Sequence, residues 1–252
     1  MECAITASKR GHRVTVYERG PAVGGALMGY AAHDMAHGSD LMTLVEHYRV
    51  VAEKLGIKVK LNTEVDPKLM RSVLHHYDVA VVAAGSRIVL DLPVSTEASG
   101  LLLDGAEVAA GRAETGQRVV VLGGGKVGLT LAESLAGQGC DVTVIEAAKR
   151  IAGDVSPTWK WRHSAWLGEL GVTTLTETRV VEVRPGGVAL ANGSGETFLE
   201  ADSVIASQRQ PNQELFQGLE WMVDELHGIG DAIMPRGLDQ AIHEGYRLGC
   251  RL

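Results

Sequence analysis

Apolar residues along the chain recur in two rhythms, and each change of rhythm marks a new element. Residues 2–9 have helical spacing and run to Gly11, a helix stop. Residues 13–18 alternate as a strand would, with Val14 and Val16 on one side, and end on the acid Glu18. Gly20-Pro21 and Gly24-Gly25 make a loop. Ser39 is placed to cap a helix whose apolar stripe runs Leu41, Leu44, Val45, Tyr48, Val51, Ala52 and Leu55, and Gly56 stops it. A short strand at 57–61 follows, then a helix opened by Asp66-Pro67 and carried by Leu69, Val73 and Leu74. Residues 79–83 are continuously apolar, as in a parallel strand covered on both faces, and lead to Gly85-Ser86. Residues 87–116 lose the rhythm; Pro93, Ser95, Thr96, Ser99 and Gly100 suggest a connection.

A second cycle then begins. Residues 118–122 predict a strand, 123–128 a glycine loop, 129–136 a helix and 141–146 another strand. A helix near 159–170 and a strand near 172–175 come next. Residues 180–183, 187–190 and 197–199 predict a small antiparallel set with a turn at Asn192-Gly193. Residues 204–206 form a last buried strand, and 227–231 lead into a helix at about 238–248. The two cycles resemble each other. Residues 11–18 and 139–146 both run from a helix end through a strand to a glutamate, Glu18 and Glu146.

Composition narrows the class. Glycine is abundant, at 31 residues, and aromatics make up 4%, which suits tight strand-to-helix turns and not an aromatic-packed β-sandwich. A formal net charge of −7, without any dense Lys/Arg run, argues against a nucleic-acid face. The three cysteines, Cys3, Cys140 and Cys250, lie far apart in sequence, so there is no CxxC pair and no iron–sulfur spacing. With no long apolar run and no leader pattern, the expectation is a cytoplasmic protein without a membrane span.

The chemistry concentrates on Gly123-Gly124-Gly125-Lys126-Val127-Gly128. This GxGxxG follows a strand and precedes a helix, so its glycines permit a tight turn and the helix N-terminus offers positive partial charge to a pyrophosphate. Glu146, at the end of the next strand, can accept hydrogen bonds from ribose hydroxyls and would repel a 2′-phosphate, favouring NAD(H) over NADP(H). A ligand-free glycine turn is the competing reading. Glu18 holds the matching position in the first cycle, against the alternative of a solvated strand-end carboxylate. Gly230-Asp231 could hold polyol hydroxyls at a helix start, or be a plain turn. His33 and His37 have i,i+4 spacing but no third ligand, so no metal site is expected. His75 and His76 point in different directions along a helix and are expected to be solvated. Trp159, Trp161 and Trp166 are expected to pack in a core or between lobes. Nothing places Asp231 beside Glu225, and no catalytic residue is assigned.

Five motifs in one order give the chain a family likeness. Residues 16–19 with 24–27, then 61–65, 82–86, 123–128 and 229–231, resemble the C-terminal pyridine nucleotide and flavin region of the trimethylamine dehydrogenase and 2,4-dienoyl-CoA reductase family. The resemblance implies that Glu18 and Arg19 contact the adenosine part of FAD, or of an ADP in its place. It implies that Gly24, Gly25 and Leu27 line the pyrophosphate side, that Val65 meets adenine, that Ala84 and Gly85 approach the cofactor chain, and that Gly230 and Asp231 bind its ribityl or ribose-phosphate portion. Gly123, Gly125, Val127, Gly128 and Glu146 would form the pyridine nucleotide site. Family members open this region with a strand and a first GxGxxG, expected to fall upstream of Met1, and loss of that inner strand would leave the first sheet short. They also carry an N-terminal barrel with FMN, an iron–sulfur cluster and the substrate site.

The expected fold is therefore α/β: two Rossmann-like dinucleotide-binding lobes, the second inserted in the first, with a small antiparallel β element. Residues 1–90 with 211–252 would bind FAD or ADP, 107–210 would bind NAD(H), and 91–106 would connect them. The expected function is an FAD/NAD(H) oxidoreductase module working with a flavin and iron–sulfur barrel. The alternatives are a non-catalytic adenine-nucleotide-binding domain or a truncated fragment of such an enzyme.

Overall fold

The computed structural model describes residues 1–89, 91–193 and 195–252. The chain divides into two units: Met1–Leu27, Ser39–Arg87 and Arg209–Leu252 form one, and Met28–Gly38 with Ile88–Gln208 the other.

The second unit is built on a parallel sheet of five strands. Their order across the sheet is Leu102–Asp104, Ser203–Ala206, Arg118–Leu122, Asp141–Ile145 and Thr173–Leu175. The unbroken apolar run of the central strand has a direct cause. Val119 and Val121 enter a cluster with Leu129, Leu131, Leu135, Val144 and Ile205 on one face. Val120 and Leu122 enter another with Ile145, Val183, Val188, Leu190 and Val204. Both faces are buried from Val119 to Leu122, so only Arg118, at the strand's start, is polar. The helix Lys126–Gly137 supplies Leu129 and Leu131, both fully buried. Truncating either to alanine should cost about 2–5 kcal/mol. The antiparallel element forms as expected, with Gly187–Asn192 pairing with both Arg179–Arg184 and Gly195–Glu200.

The first unit is less continuous. Thr15–Tyr17 pairs in parallel with Lys58–Lys60, and Glu225–Gly228 with Val79–Val82, as two separate two-stranded sheets. Each stands on its own cluster: Ile5, Tyr48, Ala52 and Ile57 in one case, and Met70, Val82, Leu219 and Ala232 in the other. The helices Glu2–Lys9 and Leu238–Gly249 pack closely because Gly245 and Gly249 lack side chains; a Cβ on Gly249 would stand 2.7 Å from that of Thr6. Asp66 caps the helix Pro67–Val73, its Oδ1 accepting the Leu69 N–H at 2.6 Å.

Three expectations need correction. Val79–Val82 is buried only at Val82, because the strand has one neighbour in its sheet. Residues 91–106 are more than a connection, since Leu102–Asp104 pairs with Ser203–Ala206 at the edge of the large sheet. Residues 28–38 leave the first unit and pack on the second, where His33 Nδ1 hydrogen-bonds Ser134 Oγ at 2.8 Å and Gly29 lies against the Ala109 backbone.

Candidate functional site

In the second unit the glycine loop is shaped by close approaches that only glycine allows. Gly123 has φ +104°, in the left-handed region. A Cβ on Gly128 would stand 2.0 Å from the Gly123 carbonyl oxygen, so the third glycine lets the helix lie directly on the strand end. Gly125 caps the helix without a side chain, while Val127 packs against the core cluster. Glu146 is half-buried at the loop, its Oε2 accepting the Gly124 N–H at 2.8 Å and its Oε1 the Ala148 N–H at 2.7 Å. Each carboxylate oxygen keeps a further lone pair for a hydroxyl donor. The five predicted nucleotide-site residues, Gly123, Gly125, Val127, Gly128 and Glu146, thus come together, and the cradle fits a dinucleotide.

Two residues at this loop carry no sequence motif. The Ser207 hydroxyl is buried behind the loop and donates to the Leu122 carbonyl at 2.7 Å. It follows the strand that pairs with Arg118–Leu122, and that register is the one sequence signal that could have placed it. Asp154 lies in front of the loop, its Oδ1 accepting the Lys126 N–H at 2.7 Å.

In the first unit Glu18 ends its strand as expected, and its Oε1 accepts the Gly20 N–H at 2.7 Å. The Thr63 N–H donates to the Glu18 carbonyl, which draws the 61–65 segment to the strand end. Arg19 is exposed. Val65 joins the cluster of Val82 and Ala232, and the Ile229 N–H donates to the Val82 carbonyl, so the segments of Val65, Ala84-Gly85 and Gly230-Asp231 meet. Gly24 and Gly25 both have positive φ, and the Leu27 N–H closes their turn on the Gly24 carbonyl. Asp231 is already engaged. Arg209 donates to its Oδ2 at 2.5 Å and the Arg236 N–H to its Oδ1 at 3.0 Å. The Gly230 N–H is held by Glu244 Oε2 at 2.7 Å. These groups fit an adenosine ribose at Glu18 more directly than a ribityl chain at Asp231.

The remaining candidates are structural. His37 stacks edge-on with Trp159 at 4.4 Å while His33 bonds Ser134, and no metal-binding cluster occurs among the described residues. The Arg162 guanidinium lies over the rings of Trp159 and Trp166. Trp161, expected to pack, is 67% exposed. His75 and His76 are both exposed as expected, but they do not point apart: they lie at the end of a tight 3-10 turn and their rings are 3.9 Å from each other. The three cysteines are free, and no helix among the described residues is long and apolar enough to cross a membrane.

Residues 1–230 match the family model described as pyridine nucleotide-disulphide oxidoreductase. The chain is 30% identical to a metal reductase of Desulforamulus reducens, covering 98% of the chain and 41% of that protein. It is 29% identical to an NADH oxidase of Thermoanaerobacter brockii, covering 100% and 39%. The chain thus spans about two fifths of the length of these curated relatives. Among solved structures, a 2-naphthoyl-CoA reductase in complex with 2-naphthoyl-CoA superposes over the whole chain and 38% of its own, with 29% identity and a TM-score of 0.91. Histamine dehydrogenase from Rhizobium sp. 4-9, at 18% identity, shares the fold over the whole chain and 42% of its own, with a TM-score of 0.85.

Proposed function

The chain belongs to the pyridine nucleotide-disulphide oxidoreductase family, and from that premise we propose that it is the electron-passing module of a larger amine-dehydrogenase-like or enoyl-reductase-like enzyme. It is a flavoprotein oxidoreductase region of Rossmann type, with FAD and NAD(H) as its cofactors. The observation that carries the reading is the glycine cradle at Gly123–Gly128 with Glu146 fixed at its rim. There Gly123, Gly125, Val127 and Gly128 would hold the dinucleotide backbone, and Glu146 would accept from the adenosine ribose. Glu18, Arg19, Gly24, Gly25, Leu27, Val65, Ala84, Gly85, Gly230 and Asp231 would line the flavin side. Residues 107–210 would serve the nicotinamide dinucleotide and 1–90 with 211–252 the flavin. When bound, nicotinamide and flavin supply the hydride chemistry, so the protein's work is binding, distance and exclusion of water. The enzyme's substrate pocket would belong to a barrel domain or subunit bearing a flavin and an iron–sulfur cluster. Three free cysteines, far apart in sequence, support a reducing, cytoplasmic setting.

The test is reconstitution with FAD followed by titration with NADH. The expected result is anaerobic bleaching of the flavin's visible band by NADH and a much weaker response to NADPH, with Glu146→Ala losing the preference. Absence of any NADH binding below millimolar concentration, even with barrel protein supplied, would sink the reading.

One observation favours a second reading. Asp231 and the Gly230 N–H are satisfied within the chain by Arg209 and Glu244. A non-catalytic module holding ADP in place of FAD needs neither group. Colourless protein that retains ADP through purification would select it.

A further inference from the structure

The glycine loop faces an acid of its own chain. Beyond Glu146 the chain turns back across the loop and is fixed there at three points. Ala152 is buried with φ +60°, a left-handed conformation that a side chain accepts only where its surroundings enforce it. Its N–H donates to the Gly124 carbonyl at 2.6 Å. Ile151 lies over Gly124, with its Cγ2 2.7 Å from where a Cβ would stand. Asp154 completes the contact by accepting the Lys126 N–H at 2.7 Å, with its two carboxylate oxygens 3.0 and 3.1 Å from the Cβ position of Gly125.

The Lys126 N–H is one of the donors that the helix Lys126–Gly137 leaves without a partner inside the helix, on the end that carries positive partial charge. A pyrophosphate seated on this glycine loop would seek the same donors. A carboxylate and a diphosphate held against one N–H repel each other, since both are anionic. Glu146 is in a different position: its oxygens are held by Gly124 and Ala148 and do not contact the helix start. Asp154 is solvent-exposed, so its side chain can swing out without stranding a buried charge.

We propose that Asp154 is a resident anion on the nucleotide loop, a latch that competes with the dinucleotide pyrophosphate for the Lys126 N–H and must be displaced for the nucleotide to seat. This rests on the reading of the glycine loop as the NAD(H) site. The latch sets affinity and favours release, because it returns to its own hydrogen bond as the nucleotide leaves.

The experiment is NADH titration by fluorescence, with parallel thermal melting, of the wild type, Asp154→Ala, Asp154→Asn and Glu146→Ala. Asp154→Ala should bind NADH about tenfold more tightly, and its melting point should rise further on NADH addition than that of the wild type. Asp154→Asn keeps an acceptor for the Lys126 N–H but loses the charge, so it should fold like the wild type and bind about threefold more tightly. Glu146→Ala should weaken binding. Equal or weaker binding by both Asp154 variants, with the wild type binding NADH, overturns the latch and leaves the site standing. No NADH binding by either the wild type or the Asp154 variants overturns the site and the latch together.

Discussion

At the scale of single residues, the loop depends on atoms that are absent. Gly128 is the sharpest case, because its missing Cβ is the space in which the helix meets the Gly123 carbonyl. Gly128→Ala should therefore lose about 3 kcal/mol or more of stability in urea denaturation, together with NADH binding. A variant within about half a kcal/mol of the wild type would show that the helix can back away freely. Glu133 makes the opposite point. It is a buried acid on the same helix, matched by His163 Nδ1 at 2.6 Å. The glycines were legible in the sequence because their spacing is a local pattern. Asp154, Ser207 and the Glu133–His163 pair were not, because each takes its role from a partner brought close by folding.

At the scale of elements, apolar runs announced themselves and the strand with little apolar pattern of its own did not. The run 119–122 could be recognised because burial on both faces leaves only apolar side chains there. Leu102–Asp104 has three residues, and its strand character comes from the neighbour it pairs with. The strands Arg118–Leu122 and Ser203–Ala206 are also tied where they begin. Asp202 accepts from the Arg118 N–H at 2.9 Å and from its guanidinium at 2.7 Å, and Arg118 also reaches Glu200. The hydrogen bonds from Arg118 hold the Asp202 carboxyl down at about 2. An ordinary aspartate titrates near about 4. The folded state thus favours the ionised form, and whatever this contributes is present above about pH 4 and disappears as pH falls through about 2. The melting-point gap between the wild type and Asp202→Asn should accordingly be constant near neutrality and close between those limits. A gap that persists at full strength in acid would refute the assignment.

At the scale of the whole molecule, the two units differ in how their backbones are protected. The five-stranded sheet of the second unit has a core on each face, whereas the first unit's strands pair two by two and are mostly half-buried. Amide exchange should be slowest in Arg118–Leu122, Asp141–Ile145 and Ser203–Ala206, and measurably faster in Thr15–Tyr17 and Lys58–Lys60. Equal protection in the two sets would mean that the units open together.

The excursion of residues 28–38 has a consequence for how this protein can be divided. The chain changes unit after residues 27, 38, 87 and 208. No single cut separates the units, and no contiguous fragment consists of either one alone. A gene piece encoding 88–208 alone would leave the backbone at Ala109 and the hydroxyl of Ser134 without the segment that covers them. For recombination or domain shuffling, the two units are therefore a single cassette, interleaved in a way that obliges them to be inherited together.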